Sequence, residues 1–454
     1  MSAPPRPLLS ELKALWVLAL PLALAQAGQA LMGLVDTAVV GRLNETAQAA
    51  AGLGNSLTFT IMFFGMGVMM ALDPLVSQAV GARRPADART HYWTGVWLAL
   101  ATSVVLLVPL LLMGPVLRLV GVAPAIADGA LTYIDVRLPG VAGQMLFVGA
   151  RSYLQGVGRT RAIVVAMVLA NVLNLGLDVL LVFGAGPIPA LGIAGAGIVT
   201  TVCTWFQFLV MVPALGPRLE GVRRAPDVQA LWRAARLGLP VGLHLLAEGG
   251  VFGLAGLLAA RLGASSSAAH QVALTWASLT FCVAVGIGSA GSVRVGWGVG
   301  ARDLPAARRS GLVAFASGAA FMSATALMFV LVPEPLARLL SPNDGVVAVA
   351  ASLFTVTAVF QVSDGVQGVG AGVLRGYADT RFTFIANLIG HWLIGLPLSW
   401  WLGVRGSYGV VGLWWGLSAG LSVVAVAVFL RFQWLSRRDV AALEPAAAGA
   451  GEAA

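Results

Sequence analysis

Residues 14–40 read ALWVLALPLALAQAGQALMGLVDTAVV, an apolar run with one acid, Asp36, near its end. About 20 apolar residues are enough for a helix to cross the hydrocarbon core of a bilayer. A carboxylate inside such a helix costs about 2.5–3.5 kcal/mol on insertion scales, so an acid that is kept there indicates a function. Three more acids lie inside other apolar segments: Asp178, Glu248 and Asp364. Together they predict a membrane protein that carries a cation or a proton.

The whole chain shares this apolar character. It is 58% hydrophobic and only 10% charged, with a mean hydropathy of +0.88, whereas soluble domains average about 25% charged residues. The net charge of +9 comes from arginines that fall between the apolar segments, and this is not the one-sided basic face of a nucleic-acid-binding protein. Cys203 and Cys282 both lie within apolar segments, where we expect small buried side chains and no disulfide.

Twelve apolar runs are long enough to be membrane-spanning helices. Their approximate limits are 14–40, 50–75, 92–114, 128–151, 162–184, 190–214, 235–260, 268–293, 310–333, 346–373, 382–403 and 409–431. Loops after the even-numbered spans are rich in arginine, with three each after spans 2, 4 and 8, while loops after odd-numbered spans hold about one each. The positive-inside rule therefore predicts a multi-pass protein of the cell (inner) membrane with both termini in the cytoplasm.

The two halves of the chain repeat each other at an offset of 219 or 220 residues. The matching pairs are Leu20-Pro21 with Leu239-Pro240, Arg42-Leu43 with Arg261-Leu262, Gly81-Ala82-Arg83 with Gly300-Ala301-Arg302, and Thr160-Arg161 with Thr380-Arg381. Each half has six spans, so both halves insert the same way up. The predicted fold is an all-α integral membrane protein of twelve helices, in two parallel six-helix lobes related by a pseudo-two-fold axis along the membrane normal.

Five domains follow from this pattern. They are a cytoplasmic N-terminal tail (1–13), an N-lobe of spans 1–6 (14–214), a basic cytoplasmic linker (215–234), a C-lobe of spans 7–12 (235–435) and a disordered, alanine-rich C-terminal tail (436–454). Inside the C-lobe, Gly286 to Gly291 fit a dinucleotide-binding fingerprint, but no strand precedes them, so we interpret these glycines as helix-packing residues.

Candidate ion-binding residues occur in both halves. In span 5, Asn171, Asn174 and Asp178 are spaced i, i+3, i+7 and share one helical face, and Asp36 lies in the same half. Carboxylate and amide oxygens suit either Na⁺ or a proton. The alternative is a polar clamp between helices.

In the second half, His244 and Glu248 are stacked at i and i+4 on span 7. Pro240 precedes them by one turn, Pro21 holds the matching place in span 1, and both prolines are expected to bend their helices. In span 10, Gln361 precedes Asp364 among glycines that allow close helix approach. For His244 and the prolines, ordinary packing roles remain open.

These residues carry a resemblance to a known family. The chain resembles the multidrug and toxic compound extrusion (MATE) transporters, and its second half resembles their NorM branch, over about residues 10–435. The segments that match are Val35-Asp36-Thr37, Pro74…Gln78…Gly81-Ala82, Glu248, Asp364 and Leu374-Arg375-Gly376…Asp379-Thr380.

The resemblance implies efflux of organic cations against an inward flow of Na⁺ or H⁺ by alternating access, with no cofactor. It implies that Asp36, Asn174 and Asp178 form a cation site in the N-lobe, and that Glu248 and Asp364 form one in the C-lobe. Relatives often carry a tyrosine four residues before the acid of span 10, where this chain has Phe360. The missing phenol oxygen puts Na⁺ binding in the C-lobe in doubt and leaves proton coupling open.

The predicted function is therefore a cation-coupled multidrug antiporter, a monomer whose partners are drug-like organic cations and membrane lipids. A lipid-linked glycan flippase is the alternative, but it would favour a basic cavity, whereas the charges within these spans are mainly acidic. An enzyme would need a nucleophile with its base, or metal ligands, near an interface. The sequence shows no such set.

Overall fold

The structure is a computed structural model that describes residues 8–184, 187, 189–216, 221–222 and 224–444. Within these ranges the regular secondary structure is helical and contains no strand. The α-helices are α1 (Leu8–Val40), α2 (Glu45–Met69), α3 (Leu72–Gly81), α4 (Pro85–Leu111), α5 (Met113–Val120), α6 (Pro124–Gly156), α7 (Arg161–Phe183), α8 (Ile193–Leu215), α9 (Val228–Arg261), α10 (Ala264–Gly300), α11 (Leu304–Leu331), α12 (Pro333–Arg338), α13 (Asp344–Gly376), α14 (Thr380–Asn387), α15 (Leu396–Trp400) and α16 (Gly409–Leu435). The π-helical segment Leu388–Gly395 joins α14 to α15, and a second π-helical segment, Trp401–Arg405, follows α15, so that Thr380–Arg405 forms one long helix.

Eleven helices in the described part of the chain are long and apolar enough to cross a membrane. The predicted fourth span lies in a twelfth long helix, α6, whose 33 residues include Asp128, Asp135 and Arg137. These charges explain why α6 is less apolar than the other eleven. The all-α membrane fold predicted from the sequence is confirmed.

The chain packs as two compact units. One comprises the described residues of Met1–Leu24, Gly81–Arg83 and Leu243–Leu443, and the other comprises those of Ala25–Val80, Arg84–Gly242 and Glu444–Ala454. The units differ from the predicted lobes in the assignment of three segments: the first part of α1, the first part of α9, and Gly81–Arg83. The boundaries at 24/25 and 242/243 each follow a helix-interior proline, Pro21 or Pro240, by less than one turn. The predicted lobe limits stay a prediction.

The predicted linker is shorter than its composition suggests. Helix α9 begins at Val228, within the range 215–234, because Asp227 caps it: the Asp227 Oδ1 accepts hydrogen bonds from the backbone N–H of Gln229 and Ala230. Apolar patterning misses a helix that begins with a polar turn. Residues 217–220 and 223 of the linker, 1–7 of the N-terminal tail and 445–454 of the C-terminal tail lie outside the described residues.

The sequence repeat recurs in the backbone. Arg83 and Arg302, which are 219 residues apart, both have left-handed φ angles, 58° and 57°. Gly158 and Ala378, which are 220 residues apart, also have left-handed φ angles, 77° and 63°. Each follows the end of a helix, where a left-handed residue closes the last turn. The two halves therefore end corresponding helices with the same local geometry.

The glycines of the Gly286 to Gly291 segment pack helices together, as predicted. A Cβ on Gly286 would lie 2.6 Å from the Ala23 nitrogen, and one on Gly288 would lie 2.8 Å from the Gly368 carbonyl oxygen. Such contacts are closer than real Cβ atoms show, so these positions require glycine. The segment lies inside α10, so it is not a nucleotide-binding loop.

Candidate functional site

Asp36 is the centre of a buried polar cluster formed by α1, α7 and α8. It is 6% exposed. The Asn174 side-chain amide donates to Asp36 Oδ1 at 2.8 Å, and the Thr200 hydroxyl donates to Asp36 Oδ2 at 2.9 Å. Asp178 follows Asn174 by one turn of α7 and interacts electrostatically with Asp36. We call these four residues the Asp36 cluster.

The Asp36 cluster leaves oxygen atoms without partners. Both Asp178 carboxylate oxygens and the Asn174 Oδ1 are buried, and none has a hydrogen-bond partner of ordinary geometry among the described residues. Buried polar atoms normally have a partner. Two adjacent carboxyl groups repel each other when both are charged. A proton or a hard cation placed between them would satisfy these oxygens and reduce the repulsion.

Two further amides extend this set of oxygens. Asn171 of α7 is half-buried and Gln207 of α8 is fully buried. The Asn171 amide donates to the Met167 carbonyl oxygen at 2.9 Å. The Asn171 Oδ1 and the Gln207 Oε1 are both buried, and neither has a partner among the described residues. Asn171 and Asn174 therefore each present a side-chain oxygen without a partner along α7, on the same face as Asp178.

A small pocket lies next to Asp36. Asp36, Gln48, Asn55 and Tyr133 contribute to its lining. Asn55 Oδ1 accepts a hydrogen bond at 2.9 Å from Arg137, which is buried in α6. A basic side chain, Arg137, thus contacts a residue that lines the pocket, although the charges within the spans are mainly acidic.

The second cluster lies on α9 and α13. His244 Nε2 is 3.4 Å from Glu248 Oε2, as expected from their i, i+4 spacing. Asp364 is 5% exposed and interacts electrostatically with Glu248. We call His244, Glu248 and Asp364 the Glu248 cluster. The structure thus brings together the two acids that the sequence had placed on different spans.

Gln361 lies one turn before Asp364 and is fully buried. Its amide donates to the hydroxyls of Thr280 and Thr325, and its Oε1 has no partner among the described residues. Phe360 is also buried, with its ring edge-on to Phe252 at 6.1 Å and to Trp414 at 5.2 Å between ring centroids. Aromatic side chains therefore pack around Phe360.

No lysine or arginine in the described ranges forms an ion pair with Asp36, Asp178, Glu248 or Asp364, although His244 lies next to Glu248. The same ranges contain no group of three or more histidine, cysteine, aspartate or glutamate side chains arranged to hold a metal ion. The donor sets are carboxylates with amide and hydroxyl oxygens. This chemistry suits a proton or a hard monovalent cation better than a transition metal.

Pro21 and Pro240 lie inside continuous helices, α1 and α9. They contact neither cluster through a hydrogen bond, because proline has no side-chain donor or acceptor. Along the chain, each proline precedes one of the boundaries between the two units by less than one helical turn. Sequence reasoning missed Thr200, Gln207 and Tyr133, since hydroxyl and amide side chains are common inside apolar helices and carry no periodic signal.

Comparison with known proteins agrees with this architecture. The MatE family model matches residues 21–180 and 240–401. The chain is 35% identical over 437 residues to the multidrug resistance protein NorM of Burkholderia vietnamiensis, covering 94% of each chain. It is 33% identical over 440 residues to the multidrug resistance protein MdtK of Edwardsiella ictaluri (strain 93-146), covering 94% of this chain and 96% of the relative.

The fold is shared more widely. The crystal structure of the eukaryotic MATE transporter AtDTX14 aligns with a TM-score of 0.86 at 21% identity, over 95% of this chain and 98% of that one. The family model matches both halves of the chain and the NorM and MdtK relatives match nearly all of it, which confirms the resemblance drawn from the acids of the spans. The chain belongs to the MatE family, the multidrug and toxic compound extrusion transporters.

Proposed function

We propose that the protein is a secondary active antiporter that exports amphipathic organic cations in exchange for H⁺ or Na⁺. The observation that carries this proposal is Asp36, buried in a membrane helix, hydrogen-bonded to Asn174 and Thr200 and adjacent to a second buried acid, Asp178. Keeping two acids there without a basic partner is costly, and a transported cation offsets that cost in one step of the cycle. The names of the NorM and MdtK relatives support drug-like molecules as the exported substrates.

The proposed cycle is alternating access. When the site faces outside, Asp36 and its neighbours take up the coupling cation, and this lowers the affinity for the bound organic cation. The organic cation leaves, the protein changes conformation, and the coupling cation leaves on the cytoplasmic side. Each ligand must bind one conformation more tightly than the other, since a ligand with equal affinity for both shifts nothing.

The setting proposed for this cycle is the inner membrane, with both termini in the cytoplasm and the chain acting as a monomer. The arginine-rich loops after even-numbered spans support this orientation. The protein needs no cofactor and performs no covalent chemistry. A lipid-linked glycan flippase is less consistent with the two acidic clusters and with relatives named multidrug resistance proteins.

The test is efflux of ethidium from proteoliposomes under gradients imposed one at a time. A pH gradient with acid outside, or an inward Na⁺ gradient, should accelerate efflux over vesicles with no gradient. Valinomycin and K⁺ clamp the membrane potential as a control. Gradient-independent movement of ethidium would contradict antiport, and transport of a lipid-linked glycan in place of ethidium would favour the flippase.

The Phe360→Tyr variant tests the choice of ion. We expect the wild type to respond to a pH gradient without Na⁺, because Phe360 supplies no oxygen to the Glu248 cluster. The variant should add a phenol oxygen one turn from Asp364 and raise stimulation by Na⁺, measured as the ratio of efflux rates with and without an inward Na⁺ gradient.

The matched control for Phe360 is Phe354→Tyr, since Phe354 is buried on the same helix but packs against Phe329. This control should leave the Na⁺ ratio unchanged. A wild type that is inert to a pH gradient but driven by Na⁺ alone would show that our interpretation of Phe360 is wrong.

A further inference from the structure

The long helix from Thr380 to Arg405 contains a widened turn. Leu388–Gly395 is π-helical, and the Leu396 N–H donates to the His391 carbonyl oxygen, five residues back. Pro397 follows directly; it has no N–H to donate, and its ring crowds the preceding turn. A π-helical turn is one way for a helix to accommodate this, and such turns occur frequently at functional sites. The sequence thus produces a wide turn at His391.

Two polar side chains are buried at this turn: Asn387, the last residue of α14, and His391, within the π-helical segment. Both have no exposed surface. Neither amide atom of Asn387 nor either ring nitrogen of His391 has a hydrogen-bond partner among the described residues. Buried polar groups in native proteins nearly always have partners. Two such groups at i and i+4 are therefore candidates for binding a polar species.

The widened turn packs against the Glu248 cluster. The Trp392 indole donates to the Ala247 carbonyl oxygen at 3.1 Å, which ties the turn to α9 beside Glu248. His391 interacts electrostatically with His244, whose Nε2 is 3.4 Å from Glu248 Oε2. His244 therefore contacts Glu248 and interacts electrostatically with His391.

The charged and titratable groups around these residues come from two helices. Helix α9 supplies His244 and Glu248, and α13 supplies Asp364 and Arg375, which interact with Glu248 and His244 respectively. Helix α16 packs on the widened turn through residues that do not titrate, Gly416, Gly420 and Val424. Neutral imidazoles are the proton acceptors within this set.

We propose that His391 binds the coupling proton after Glu248, with Asn387 as its partner. In this step the O–H bond of the Glu248 carboxylic acid breaks and an N–H bond forms on a ring nitrogen of His391, by way of His244. Glu248 becomes a carboxylate and His391 an imidazolium, whose N–H donates to the Asn387 side-chain oxygen. In the conformation that is open to the cytoplasm, His391 then gives the proton to water. This inference rests on the proposed antiport and deepens it.

The test is the pH profile of ethidium efflux driven by a pH gradient. His391→Gln keeps a hydrogen-bonding side chain but cannot titrate, so we expect the rate to fall about tenfold or more and its dependence on pH to flatten. The control is His270→Gln, because His270 is equally buried but its Nδ1 accepts a hydrogen bond from the Trp414 indole at 3.2 Å. The control should keep the wild-type pH profile whatever its rate.

The outcomes separate this inference from the proposed function. If the wild type shows no gradient-driven efflux, the proposed antiport fails. If the wild type shows it and His391→Gln keeps the wild-type pH profile, only the role of His391 is overturned. Should His391→Gln not fold, Asn387→Leu removes the acceptor for the imidazolium and is expected to move the pH optimum of efflux downward. An unchanged optimum in a folded Asn387→Leu protein would equally overturn the proposal.

Discussion

Replacing Asp36 with asparagine is expected to reduce coupled efflux to the leak of protein-free liposomes. The variant loses the charge that binds the coupling cation but keeps nearly the same shape. Its side-chain oxygen can still accept from the Asn174 amide, and the Thr200 hydroxyl can turn to accept from the new amide group. We therefore expect normal insertion and folding, checked by yield and by a single symmetric peak in size-exclusion chromatography.

The control for Asp36 is Asp128→Asn. Asp128 is an exposed acid near the start of α6, in the same unit as Asp36. Its replacement removes the same charge without touching the cluster, so efflux should remain at the wild-type level. Normal efflux by a folded Asp36→Asn protein would rule out the role proposed for Asp36.

Glu248→Gln and Asp364→Asn are expected to have large effects that do not add. Each should lower gradient-driven efflux strongly, because the two carboxyl groups interact within one cluster. The double variant should then be little worse than either single variant, as is usual for residues that act together. The measurement is the initial efflux rate of the wild type, both single variants and the double variant at equal reconstituted amounts.

A double variant with one substitution in each cluster shows how large the loss is when two substitutions act independently. Glu248→Gln combined with Asp178→Asn changes one acid in each unit, and the losses of the two single variants should compound. If Glu248→Gln and Asp364→Asn also compound fully, the two acids bind independently and there is no shared site on α9 and α13.

Apolar patterning and the arrangement of acids were enough to predict the membrane fold. Long apolar runs dictate helices because a bilayer leaves no other way to satisfy the backbone, and α6 could be predicted despite Arg137 since its apolar part is still long. Helix starts were harder to place. The polar beginning of α9 depends on the Asp227 cap, which hydropathy does not detect.

The candidate site was only partly predictable. Spacing placed Asn174 and Asp178 on one face of α7, and the structure places Asn174 within hydrogen-bonding distance of Asp36. Spacing could not select Thr200 from the three threonines of α8, because the choice depends on how α8 is rotated against α1. Thr201 donates to the Val136 carbonyl oxygen instead.

The residues of the widened turn were missed for a different reason. Asn387 and His391 are i and i+4 in an apolar span, a spacing shared by many packed polar pairs. Pro397 was visible in the sequence, but a proline can be accommodated by a kink, a break or a wider turn. Only the structure shows that the turn widens and leaves both side chains buried without partners.

The most direct measurement of cation-coupled export uses an ethidium gradient, rather than an ion gradient, as the driving force. Proteoliposomes containing a pH-sensitive dye are given an ethidium gradient at equal pH and equal Na⁺ on both sides, with the membrane potential clamped. Antiport requires that ethidium moving down its gradient drives protons the opposite way, or Na⁺ in a parallel assay with a Na⁺ indicator, and that Asp36→Asn abolishes this movement. Ethidium crossing through the wild type with no opposing movement of H⁺ or Na⁺ would contradict the proposed function.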